Sequence, residues 1–262
     1  MLLLPFQAEL DGLAATGEPL AIVPHAFLHD VPLEAARIGG RPLIDRVPVF
    51  EATSLPALLA TLAAPPVDWS ADAPTLGVGA VEGGPGAELP GARAELDHLA
   101  TAEHAALLTG TAATPQALLL ALRPAKRVEI ALHGHRGGSG EAGWLQLAPD
   151  AAHDEDGRLD ALRIAGTATS ADLVFLSACE TGAGEFQPGD EGHGVVDRAF
   201  LLAGAHAVIS SRWAVDDAAT RHLVEQFWDE VGRSGPLEAL NRAQKDLRRR
   251  PRTARRSVND AA

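Results

Sequence analysis

The chain has 262 residues, 46% of them hydrophobic and 22% charged, an ordinary balance for a globular protein able to bury a real core. Its one cysteine excludes an intrachain disulfide and any structural zinc site built on several thiolates, and it fits a reducing compartment. The net charge of −13 conceals an asymmetry: residues 242–262 hold eight basic and two acidic side chains, leaving 14 basic against 33 acidic, a net of −19, on residues 1–241. An acidic body argues against nucleic-acid binding by the domain.

No apolar run approaches the roughly 18 residues that a membrane span needs, and the apolar start, residues 1–6, is too short and lacks the basic flank of a signal segment. The expectation is a cytoplasmic protein that does not meet a membrane. Along the chain, residues 2–13 predict a short helix packing Leu3, Leu4, Leu10 and Leu13. Strands follow at 20–25 and 46–50, the second with a proline that suits an edge position. Ser54 caps a helix expected to turn Leu58, Leu59 and Leu62 inward. A third strand at 75–81 leaves through a glycine-rich loop to a helix with Leu96, Leu99 and Ala100 on its apolar face and Glu95, Asp97 and Glu103 mostly off it. Thr114 and Pro115 open the next helix as hydroxyl cap and first-turn proline.

The fourth strand, 128–132, leads into a loop from His133 to Gly143. Trp144-Leu145-Gln146-Leu147 alternates like a short strand, and Asp160 caps a helix through Ile164. The fifth strand, Leu173-Val174-Phe175-Leu176, runs into Ser177-Ala178-Cys179-Glu180-Thr181-Gly182. A helix at 195–203, a sixth strand at 207–213, and two helices separated near Gly232 and Pro236 complete the chain. Strands and helices alternate throughout, which predicts a mostly parallel sheet covered on both faces.

Chemistry gathers at two strand ends. Ligands in open α/β sheets bind beyond the carboxyl ends of the strands, where both His133 and Cys179 fall. A lone cysteine in such a place is most often a small buried hydrophobe. Here it lies past the apolar run, ahead of Thr181 and Gly182, whose amides are free to favour a thiolate. A thiol nucleophile needs a base, and His133 stands 46 residues upstream. Two alternating histidines, His133 and His135, also admit a metal reading, with His153, Asp154, Asp156 and His193 as further ligands. It ranks below the thiol because Arg136-Gly137-Gly138 follows rather than more acid or histidine. No cofactor is expected. The run from Arg248 reads first as a solvated, disordered terminus, and contact with nucleic acid or an acidic partner is the lesser reading.

These pieces resemble the CHAT domain, a bacterial branch of the caspase–separase group of cysteine peptidases. The matching motifs are Ile22-Val23-Pro24-His25, Leu89-Pro90-Gly91-Ala92 with Glu95, Leu132-His133-Gly134, the segment from Asp172 to Gly182, Ala199 to Ala205, and Trp213-Ala214-Val215-Asp216-Asp217. The resemblance runs in order from about residue 3 to 247 and implies a caspase-like three-layer α/β/α sandwich with a mostly parallel six-stranded sheet. It implies a domain over residues 1–247 and a basic tail over 248–262. It also implies His133 as general base, Cys179 as nucleophile, and the amides of Gly134 and Cys179 as oxyanion donors. The edge at Ser210, Ser211, Arg212 and Trp213 would take an extended substrate by strand addition.

There are departures from the pattern. Arg212 replaces an apolar residue. Ser177 stands where some relatives in the wider group carry an acid for a basic P1 side chain, so specificity for Arg or Lys does not follow. The basic tail stands where a closing segment with Trp is expected, and residues 1–262 contain no tetratricopeptide repeats. Two functions follow from different classes. The first is a cysteine endopeptidase cutting specific protein partners under a regulatory protein. The alternative is a non-catalytic module that keeps the fold and binds a peptide or protein.

Overall fold

The computed structural model describes residues 3–25, 28, 31–70, 72–79, 90–135, 143–150, 156–177, 195–211 and 216–250. The chain forms two compact units, one of residues 1–70 with 230–254, the other mainly residues 71–229. Among the described residues, no helix is long and apolar enough to cross a membrane.

The first unit begins with helix α1 (Gln7–Thr16), strands β1 (Leu20–Ile22), β2 (Arg37–Ile38), β3 (Arg41–Pro42) and β4 (Val49–Glu51), and helix α2 (Leu55–Ala63). β1 and β4 pair in parallel, Leu20 opposite Val49, and β2 and β3 form a small antiparallel hairpin. Leu10, Ile38, Leu43 and Val47 are buried together as its core. The Ser54 hydroxyl accepts the Ala57 amide at 3.2 Å and so starts α2 as its sequence indicates. The leucines of α2 depart from expectation: Leu59 and Leu62 are exposed rather than turned inward.

The second unit contains β5 (Thr75–Gly79), α3 (Pro90–Ala102), β6 (Ala106–Thr109), α4 (Pro115–Ala121), β7 (Arg127–Ala131), β8 (His133–His135), β9 (Trp144–Gln146) and β10 (Arg158–Asp160). It continues with α5 (Ala161–Ala165), β11 (Leu173–Leu176), α6 (Val195–Ala203), β12 (Val208–Ser210) and the first part of α7 (Asp217–Arg249). Five parallel strands make its central sheet in the order β12-β11-β7-β5-β6.

Every residue of β5, β7 and β11 is buried, as strands covered on both faces must be. On one face Val78, Val128, Ile130, Val174 and Leu176 pack with Leu118, Ile164 and Phe200 of α4, α5 and α6. On the other, Ala131 packs with Ala92 and Leu96 of α3, and Phe175 meets Phe227 of α7 with ring centres 5.0 Å apart. This is an α/β/α sandwich. The helix caps read from sequence hold here as well: Thr114 accepts the Ala117 amide at 3.3 Å and Asp160 that of Arg163 at 2.8 Å.

The sheet has five strands rather than the expected six. The strands near residues 20 and 49 pair with each other in the first unit. In their place the central sheet gains β6, whose Ala106 and Leu107 are exposed at the sheet edge. α7 begins with the Asp216 carboxylate accepting the Ala219 amide at 2.9 Å. Its helical geometry breaks at Gly235, in the left-handed region with φ 75°, just ahead of Pro236, which has no N–H to donate to a helical carbonyl. The break thus falls three residues beyond Gly232.

Candidate active site

The site is set by the register of the sheet. β7 is its central strand and β11 lies directly beside it in parallel, with Ile130 opposite Leu176. Ser210 of β12 stands opposite Leu176 on the other side. His133 is three residues past Ile130 in the sequence, and Cys179 is three past Leu176. Cys179, Arg212 and Trp213 lie outside the described residues; His133, Gly134, Ser210 and Ser211 lie within them.

Beyond Ala131 the chain does not enter a loop, as its polar and glycine content suggested. Leu132 is buried, and β8 then leaves the central sheet to pair antiparallel with β9, which pairs with β10. The partners are His133 with Gln146, Gly134 with Leu145, and His135 with Trp144. Strand alternation puts Gly134, Leu145 and Leu159 on the buried face of this small sheet. His133, His135, Trp144 and Arg158 fall on the other.

The two histidines differ accordingly. His133 is half-buried at the carboxyl end of the central strand. His135 is exposed and stacks on Trp144, ring centres 4.8 Å apart and planes 13° off parallel. The Arg158 guanidinium lies 3.9 Å from the centre of the same indole, in reach of a cation–π contact. Among the described residues, no group of three or more His, Cys, Asp or Glu side chains is placed to hold a metal ion. His153, Asp154 and His193 lie outside those residues.

β12 is an edge strand of the central sheet: among the described residues it pairs only with β11. The Ser210 hydroxyl is exposed and donates to Asp197 of α6 at 3.1 Å.

Two site-adjacent residues received no role from the sequence, although Glu95 belongs to one of the motifs that carry the resemblance. Glu95, expected off the apolar face of its helix, is 2% exposed, and it accepts a 2.7 Å hydrogen bond from the hydroxyl of Ser177, the first residue beyond β11. Glu129 points into the same layer with no exposed surface, between Gly77 and Phe175 on the neighbouring strands. The Glu129 carboxyl is pushed well above the usual carboxylate range, chiefly by burial and then by the charge of Glu95. The indole N–H of Trp228 lies near the same carboxyl and acts in the opposite direction, lowering it. Both acids carried a signal. Glu95 falls at helical spacing between Ala92 and Leu99, and Glu129 interrupts an otherwise apolar buried strand.

A comparison with protein families matches the CHAT domain over residues 1–260. The chain belongs to the CHAT domain family. A search of curated proteins finds no match to it. CHAT domains are generally linked to caspase-like peptidases, and the α/β/α sandwich of the second unit agrees with that fold. Within this CHAT domain, the strand that ends before His133 and the strand that ends before Cys179 are neighbours in one parallel sheet.

Proposed function

We propose that this CHAT domain is a cysteine endopeptidase in which His133 is the general base and Cys179 the nucleophile. The observation that carries the reading is the common register: both residues follow one rung of adjacent parallel strands by the same three residues. In the proposed reaction His133 takes the thiol proton and Cys179 Sγ bonds to the scissile carbonyl carbon. The carbonyl oxygen becomes an oxyanion, facing the amides of Gly134 and Cys179. When the tetrahedral intermediate collapses, the C–N bond breaks and the amine departs with the proton from His133. Water, deprotonated by His133, then hydrolyses the thioester and restores the thiol.

An extended substrate is proposed to lie along β12, with backbone hydrogen bonds from the edge at Ser210 to Trp213. That β12 pairs with β11 alone among the described residues supports this placement. Protein substrates under a regulatory partner, met in the cytoplasm, complete the proposal. The test is incubation of a peptide library derived from a whole proteome with wild-type protein, Cys179→Ala and His133→Ala. New peptide termini are expected from the wild type alone. Identical termini from the wild type and Cys179→Ala, or binding of partner proteins that survives Cys179→Ala with no cleavage by any form, would favour the interaction module instead.

A further inference from the structure

Two buried carboxyls stand in the layer beneath the proposed site, and burying both as charges is far more costly than burying one. Glu95 is 2% exposed and Glu129 0%. Among the described residues, the groups facing them include Trp228 from α7, Phe175 from β11, Gly77 from β5 and Ser177 at the end of β11. The charged pair on the same face of β7, Arg127 with Glu103 at 2.5 Å, lies one step back along the strand. The pair Glu95–Glu129 is relieved when Glu129 holds a proton and Glu95 keeps the charge. A charged Glu95 makes its bond from Ser177 charge-assisted, about twice as strong as a neutral one.

Anchoring a strand end by an apolar contact would cost less than burying a carboxylate. What the carboxylate adds is direction. It holds one hydroxyl at 2.7 Å, on the residue two before Cys179. We infer that Glu95 is a positioning residue for the nucleophile, acting through its hydrogen bond with Ser177 to fix the start of the segment that carries Cys179. The inference rests on the peptidase reading, because a structural thiol would need no such aim.

The single cysteine makes the test unambiguous, since a thiol reagent has one target. The rate of Cys179 alkylation by iodoacetamide is measured against pH for the wild type, Ser177→Ala, Ser177→Thr, Glu95→Gln, the double variant Ser177→Ala/Glu95→Gln, and His133→Ala. Melting temperatures confirm folding. Displacement of a reacting group by about 1 Å costs up to a hundredfold in rate. Ser177→Ala is expected to lower the neutral-pH rate about tenfold and to move the midpoint of the pH profile towards that of free cysteine, near 8.5. Ser177→Thr, which keeps the hydroxyl, is expected to restore both. Glu95→Gln removes only the charge assistance and should lose less. The double variant should be no slower than Ser177→Ala, because both changes act on one interaction.

A wild-type rate and midpoint in both Ser177→Ala and Glu95→Gln would overturn the positioning role, as would independent, multiplying losses in the double variant. A wild type whose thiol reacts like free cysteine and is indifferent to His133→Ala would instead overturn the peptidase reading on which it rests.

Discussion

Glu129 occupies the middle of the central strand with no exposed surface, flanked by Phe175 and close to Trp228. Its neutral form is the one that folding favours, and the sign of the consequence follows. Between the unfolded value, about 4.3, and the raised folded value, the native chain binds a proton that the unfolded chain has released. Stability contributed by this group is therefore fully present below about 4.3 and is lost as pH rises through the folded value. Glu129→Gln mimics the protonated acid at every pH. Denaturant titrations are expected to show the variant at least as stable as wild type at pH 7, with the advantage shrinking towards pH 4. An advantage that stays constant with pH would mean that Glu129 is charged in the native state. The residue was visible in the sequence as a charge inside Val128-Glu129-Ile130-Ala131-Leu132. The burial of its partner was not, because Glu95 reads as lying mostly off the apolar face with Asp97 and Glu103, and only its place among Ala92, Leu96 and Leu99 marks it as inward.

Among the elements, the fit of α3 against β5 depends on a missing side chain. A Cβ on Gly79 would stand 2.4 Å from the carbonyl oxygen of Ala131 and 3.0 Å from a methyl of Leu96. The first contact is with backbone in the neighbouring central strand, which cannot yield cheaply. Gly79→Ala is expected to destabilise the second unit by about 1–3 kcal/mol, seen as a lowered denaturation midpoint. Gly12 in α1 offers the opposite case. Nothing lies within 4 Å of a Cβ there, so Gly12→Ala is expected to stabilise its helix by roughly 0.5–1 kcal/mol. The buried strands β5, β7 and β11 and the half-buried β12 were legible as short apolar runs. β6 was not: Ala106 and Leu107 are exposed and follow the preceding helix closely, so no change of period announces an edge strand. The small sheet β8-β9-β10 was legible only at Trp144-Leu145-Gln146. Its first strand, His133-Gly134-His135, has no apolar side chain to signal it.

At the scale of the whole molecule, charge is expected to bias the choice of partner, with a net of −19 on residues 1–241. Such a field draws basic segments and repels acidic ones, and salt weakens both effects. Once a cleaved peptide is known, two versions of it flanked by Lys or by Glu test this. The Lys-flanked peptide is expected to show the higher kcat/KM at low salt, and the two values should converge at about 0.5 M salt, where the screening length falls to a few ångströms. Equal values at low salt would show that the field does not reach the substrate path. The alternation of strand and helix made the layered architecture legible from sequence. The pairing partners of the first two strands were not, since a short apolar strand does not encode which sheet it joins.

The shared rung of β7 and β11 makes this site a matter of counting. Extended chain advances about 3.3 Å per residue, so one residue inserted between Ala131 and His133, or between Ser177 and Cys179, would displace one partner relative to the other by up to about that distance while leaving the register of β7 and β11 unchanged. Point substitutions in these two spacers alter only side chains and keep the count. An insertion on one side is thus expected to silence the chemistry in a folded protein, and a matching insertion on the other side is expected to restore part of it.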